Sequence, residues 1–166
     1  MRIILILLVL SQCSIKNELS EWETIFNGKN LDGWTVKVKG YPSGDNFGNT
    51  FKVVDEAIQV SYENYDNFDF KFGHIYYTEK KYKNYHLKLE YKFFGNQAIG
   101  GEGWATKNSG IMFHSQHPET MLIDQSFPVS LEAQFLGGLG DGNRPTGNLC
   151  TPVSYTHLTL PTKLTV

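Results

Sequence analysis

The longest regular pattern in the chain is "YHLKLEYKFF", residues 85–94, where His86, Lys88, Glu90 and Lys92 alternate with Leu87, Leu89, Tyr91 and Phe93. Such alternation predicts a strand with one buried and one wet face, because successive side chains leave a pleated backbone on opposite sides. "WTVKV" (34–38) has the same signature, setting Trp34, Val36 and Val38 against Thr35 and Lys37. "FKVV" (51–54) and "AIQV" (57–60) flank Asp55-Glu56 and predict a tight hairpin, and "HIYYT" (74–78) is a further short strand. No stretch of ten residues or more keeps a helical period. The runs are separated by turn-rich segments such as "NGKNLDG", "GYPSGDNFGN", "ENYDNFD", "GNQAIGGEG" and "GGLGDGNRPTGN". Several of these are long for hairpins, so the pattern predicts an all-β sandwich with crossing connections, a jelly roll rather than a meander.

Two further strands carry most of the polar chemistry. In "NSGIMFHSQ" (108–116), Ile111 and Phe113 point one way, and Met112, His114 and Gln116 the other. In "VSLEAQF" (129–135), Val129, Leu131, Ala133 and Phe135 share one face, and Ser130, Glu132 and Gln134 the opposite one. Placed in one sheet, Glu132, Gln134, His114 and Gln116 would line a common polar surface.

The two ends differ from the rest. Residues 1–21 are expected to be a leader and tether: Arg2 precedes an apolar run from Ile3 to Leu10, too short to span a bilayer as a helix. Leu10-Ser11-Gln12-Cys13 resembles a bacterial lipobox, although Gln12 is bulkier than the usual small residue. This predicts acylation at Cys13 and attachment to a membrane surface at the cell envelope, periplasmic or outer-membrane; the competing reading is a plain secretory signal. At the other end, "VSYTHLTLPT" breaks abruptly with the Gly-rich sequence before it and resembles the translated end of a transposase-based sequencing adapter. Residues 153–166 are therefore expected to be a non-native read-through tail, against the alternative of a genuine terminal strand with alternating Thr and Leu. That leaves 22–152 as one domain of about eight strands. On this reading the domain is truncated, with open sheet edges and the prospect of inactivity.

Composition adds little beyond consistency. The chain has 166 residues, 14% aromatics, 16 Gly and a net charge of −2, which favours strands and turns and gives no footprint for nucleic acid. Only Cys13 and Cys150 are present, and no Cys/His spacing suggests zinc, so Cys150 is expected to be a small buried hydrophobe.

"IFNGKNLDGW" (25–34) resembles the opening of the 3-keto-disaccharide hydrolase domain family, bacterial exported proteins built as a concanavalin-like jelly roll. "FKVVDEAIQV", "YKNYHLKLEYKF", "NSGIMFH", "LEAQF" and "GNLCTP" follow in the family's order, so the resemblance covers essentially all of 22–152. Two departures stand out. His114 occupies a place where many members carry Arg, and the loop "GNQAIGGEGWATK" is longer than the common form.

The resemblance implies a carbohydrate-active enzyme cleaving 3-keto glycosides. Such a sugar has an acidic C2 hydrogen, and its removal allows the C1 oxygen to leave, with water adding afterwards. The reaction needs a base, an acid and a stabiliser for the enolate oxygen. On this expectation Glu132 is the base and His114 the acid or oxyanion donor. Asn108, Gln134 and Gln116 bind and position the sugar, and Trp104 offers an aromatic platform. Each has a plainer alternative: a solvated strand residue for Glu132, a satisfied polar group for His114, a turn cap for Asn108, loop packing for Trp104. Glu102 reads as solvated. No cofactor is expected; the loop around Asp66, Asn67 and Asp69, and likewise Asp141, offers oxygens for a divalent cation such as calcium, without a defined ligand spacing. The rival function is a non-catalytic glycan-binding domain on the same sandwich.

Overall fold

The computed structural model describes residues 22–142 and 144–151. The leader, Cys13 and the tail from Pro152 onward lie outside the described residues, as do the readings placed on them. The described chain is all-β and antiparallel, as the alternation predicts, with short 3-10 turns and no α-helix. The seven strands are β1 (Trp34–Val38), β2 (Phe51–Val54), β3 (Ala57–Val60), β4 (Gly73–Tyr77), β5 (Asn108–Phe113), β6 (Leu131–Leu136) and β7 (Asn148–Cys150). Their ladders form three small sheets, β1-β4, β2-β3 and β5-β6-β7.

The β2–β3 hairpin closes through Asp55 and Glu56, both with positive φ (49° and 59°). A two-residue turn with both residues left-handed matches the twist of the flanking strands. Its Phe51 packs with Val36 and Val38 of β1 in a core bordered by Leu31, Tyr41, Phe47, Ile58 and Ile75. Gly73 makes this contact possible: a Cβ there would stand 3.2 Å from both the Phe51 ring and Thr50 Cγ2. The alternation of β1 therefore buries Val36 and Val38 on the predicted side, with Trp34 half-buried.

The other side of β1 departs from expectation. Lys37, assigned to the wet face, is only 1% exposed. The connection from β5 to β6 crosses over this face. Lys37 Nζ donates to the carbonyl of Ile123 (2.9 Å) on that connection and to that of Val38 (3.0 Å). His74, opposite Lys37 in the ladder, donates from Nε2 to the Ser126 carbonyl at 2.8 Å. Strand alternation cannot anticipate this cover, because it comes from residues about ninety positions downstream.

The segment with the clearest strand pattern forms no ladder. No backbone hydrogen bond involves residues 85–94 among the described residues. Nor is the predicted apolar face buried: Leu87, Leu89 and Tyr91 are all exposed, although Tyr91 meets Phe93, two residues on, and stacks on Phe135 of β6 at 4.3 Å. Amphipathicity depends only on which side chains are apolar, whereas a ladder needs an aligned neighbouring edge.

Candidate active site

β5 and β6 pair as the two polar strands were expected to, with Gly110 opposite Gln134 and Met112 opposite Glu132. β7 extends the sheet on the far side of β6, setting Cys150 opposite Glu132 and Asn148 opposite Gln134. Directly opposed residues share a face. One face therefore carries Asn108, Gly110, Met112, Glu132, Gln134, Asn148 and Cys150. The reverse face carries Ile111, Phe113, Leu131, Ala133 and Phe135, and Tyr91 lies against it.

Glu132 is half-buried and its carboxylate has no hydrogen-bond partner among the described residues. Burial pushes its carboxyl above the ordinary carboxylate value. The side chain lies across Gly110: a Cβ at that position would come within 2.8 Å of Glu132 Cγ, 2.9 Å of the Ala133 carbonyl, and into collision with Oε1. Gly110 thus leaves the space that Glu132 occupies, a role invisible in a strand pattern where glycine is simply a weak former.

Gln134 and Asn148 form an amide pair beside it, Asn148 Nδ2 donating to Gln134 Oε1 at 3.2 Å. Cys150, expected as a buried hydrophobe, is instead a half-exposed free thiol opposite Glu132, on the strand that is outermost in its sheet among the described residues. Asn108 donates from Nδ2 to the Trp104 carbonyl (3.2 Å), the turn-capping arrangement. Trp104 itself is 54% exposed and stacks on Phe72 at 5.6 Å, so an indole face is available beside the sheet.

His114 and Gln116 do not continue the face. β5 ends at Phe113, and His114 takes a positive φ of 51°, which breaks the alternation; its ring is exposed and meets Phe113 edge-on. Beyond it, the Gln116 amide is engaged in the β5–β6 connection. It donates to the Thr120 carbonyl and accepts from the Gln125 amide and the Val129 N–H.

Arg144 was not singled out by the sequence. Its guanidinium donates to the carbonyls of Thr106, Gly137 (3.0 Å) and Trp104 (3.3 Å), tying the Trp104 turn to the end of β6. Its only sequence signal is a lone cation in a Gly-rich loop. Glu102 is half-buried, and its backbone carbonyl accepts from the Gln97 side chain. Asp66, Asn67 and Asp69 line a separate cavity of about 420 Å³, where Lys71 already pairs with Asp69 at 2.8 Å. Among the described residues, no group of three or more His, Cys, Asp or Glu side chains is arranged to hold a metal ion.

The model of the 3-keto-alpha-glucoside-1,2-lyase-like domain matches residues 21–163. The chain belongs to this family. The match takes in every described strand and extends into residues 153–163. No curated protein and no solved structure matches the chain. As a 3-keto-alpha-glucoside-1,2-lyase-like domain it is carbohydrate-active, which gives the polar face of β5-β6-β7 its chemical context.

Proposed function

We propose that the chain cleaves 3-keto glycosides, with Glu132 as the base that removes the C2 proton. The observation that carries this reading is a half-buried carboxylate, without a partner among the described residues, on the polar face of a domain of this family. Unpaired buried charge is costly to a fold, and functional sites are where such groups are kept. The 3-keto group makes the C2 hydrogen acidic. Glu132 takes the proton, the electron pair moves through the enolate, and the C1–oxygen bond breaks. The departing oxygen takes a proton from a general acid, a role this reading gives to the exposed His114 just beyond the end of β5. The product is an unsaturated 3-keto sugar, and addition of water across it completes net hydrolysis. Gln134 and Asn108 are the positioning amides of this reading, Gln116 being engaged within the β5–β6 connection, and Trp104 stacks the ring. No cofactor enters it. On the same reading, acylation at Cys13 holds the enzyme at the envelope, a proposal that rests on the lipobox-like sequence alone.

The test is incubation with a 3-keto disaccharide in D2O, following C2 deuteration and free-sugar release by NMR. The wild type should show both, and Glu132→Gln should slow both by at least roughly 10²-fold. Because the ionised base is the active form, the wild-type rate should fall as pH drops through the raised Glu132 pKa. Saturable binding with neither exchange nor release would instead support a glycan-binding domain using the exposed Trp104.

A further inference from the structure

We infer that Phe127, on the β5–β6 connection, is the positioning residue for the Trp104 indole, setting it through Phe72 so that its free face meets a sugar ring. The inference rests on the reading of Trp104 as a sugar platform, which the cleaving and the glycan-binding proposals share. Three rings from three separate segments meet here. Phe72 stacks on Trp104 at 5.6 Å and 25°. Phe127 packs on Phe72 at 4.8 Å and also reaches Trp104 directly at 6.5 Å. Phe72 thus covers one face of the indole, while Trp104 remains 54% exposed.

The backbone of the Trp104 turn does not fix the indole by itself. Its carbonyl accepts from Asn108 Nδ2 (3.2 Å) and Arg144 (3.3 Å), bonds that place the main chain and leave both side-chain torsions of Trp104 open. Even a Cβ at Gly103 would meet nothing within 4 Å, so the preceding residue gives the ring no wall. Phe127, by contrast, is held through its neighbours. The Ser126 carbonyl accepts from His74 Nε2 and the Phe127 carbonyl from the Gln125 amide, both at 2.8 Å, and Pro128 is fully buried. The His74 ring meets Phe127 edge-on at 5.6 Å. Phe72 is anchored as well, its carbonyl accepting from the Lys39 N–H at 3.0 Å. Two fixed rings therefore bear on a movable one, and aromatic pairs favour particular offsets and tilts. An indole already held in its binding orientation spares a sugar the cost of ordering it.

The test is titration of a 3-keto disaccharide into the full chain carrying Glu132→Gln, in which turnover is suppressed, with tryptophan emission as a second readout. The chain has three tryptophans, and Trp104→Phe identifies the signal that belongs to Trp104. Phe127→Ala should weaken binding roughly three- to tenfold and shift the Trp104 emission, and Phe127→Tyr should return both to the parent values. In a Trp104→Ala background, Phe127→Ala should change affinity no further, because residues that act through one another are not additive. Should the alanine variant fail to fold, Phe127→Leu makes the same comparison with bulk kept and the ring removed. Two outcomes overturn the inference directly: Trp104 emission unmoved by Phe127→Ala, or an affinity loss of the same size with and without Trp104. A parent that binds no 3-keto disaccharide, or a Trp104→Ala variant of unchanged affinity, defeats the platform reading and the inference with it. The emission shift, which needs no sugar, tells the two kinds of failure apart.

Discussion

Gly110 shows how a residue without a side chain can matter to chemistry. Its missing Cβ leaves room for the Glu132 carboxylate, which lies directly over it. Gly110→Ala should displace that carboxylate or push β5 from β6, at a cost of about 1–3 kcal/mol for overpacking. Turnover of a 3-keto disaccharide should fall by a larger factor than binding, since a base misplaced by an ångström loses its line to the proton. Glu132 makes the complementary case. With its folded pKa raised, the neutral form is favoured in the fold, and the penalty appears as pH rises above the unfolded value. Glu132→Gln should therefore melt no lower than the wild type at pH 7 while losing activity. A drop of several degrees would make Glu132 a structural residue.

At the scale of elements, the site rests on one three-stranded sheet and the turn beside it. Arg144 joins the two, through the carbonyls of Thr106, Trp104 and Gly137. Removing a charged donor leaves those carbonyls short of a partner. Arg144→Ala should cost about 1.5–3 kcal/mol if one such bond is not replaced by water. The indole should also loosen from Phe72, read as a shift in tryptophan emission that Arg144→Lys only partly prevents. The β5–β6 connection works in the opposite direction. It caps β1 and β4 and, through the Gln116 amide, holds its own bend together.

For the molecule as a whole, that cap makes stability sensitive to acid. Burial holds the His74 imidazole below its ordinary value; the Ser126 carbonyl opposes this and the Lys37 ammonium adds to it. Lys37 is likewise lowered by burial, with Asp124 opposing. A histidine depressed in the fold binds its proton more readily when unfolded, so stability is full above about pH 6.5 and declines as pH falls below it. The wild type should thus lose melting temperature between pH 7 and pH 5. His74→Gln, which keeps a donor toward Ser126, should lose less over the same range.

The sequence by itself determined the local geometry and the family. Alternation identified β1, the β2–β3 hairpin, β4 and the two polar strands, because period-two patterning reflects a pleat that every strand shares. It also placed Glu132 and Gln134 on one face. Contacts between distant segments were beyond its reach. Only the tertiary structure buried Lys37 beneath Ile123 and left 85–94 without a ladder among the described residues. Only the structure turned His114 out of the face, set Gly110 under Glu132 and put Arg144 behind Trp104. The physical reason is common to all five. A side chain's face follows from its neighbours in sequence, but its burial, its partners and the pairing of its backbone depend on what else folds against it.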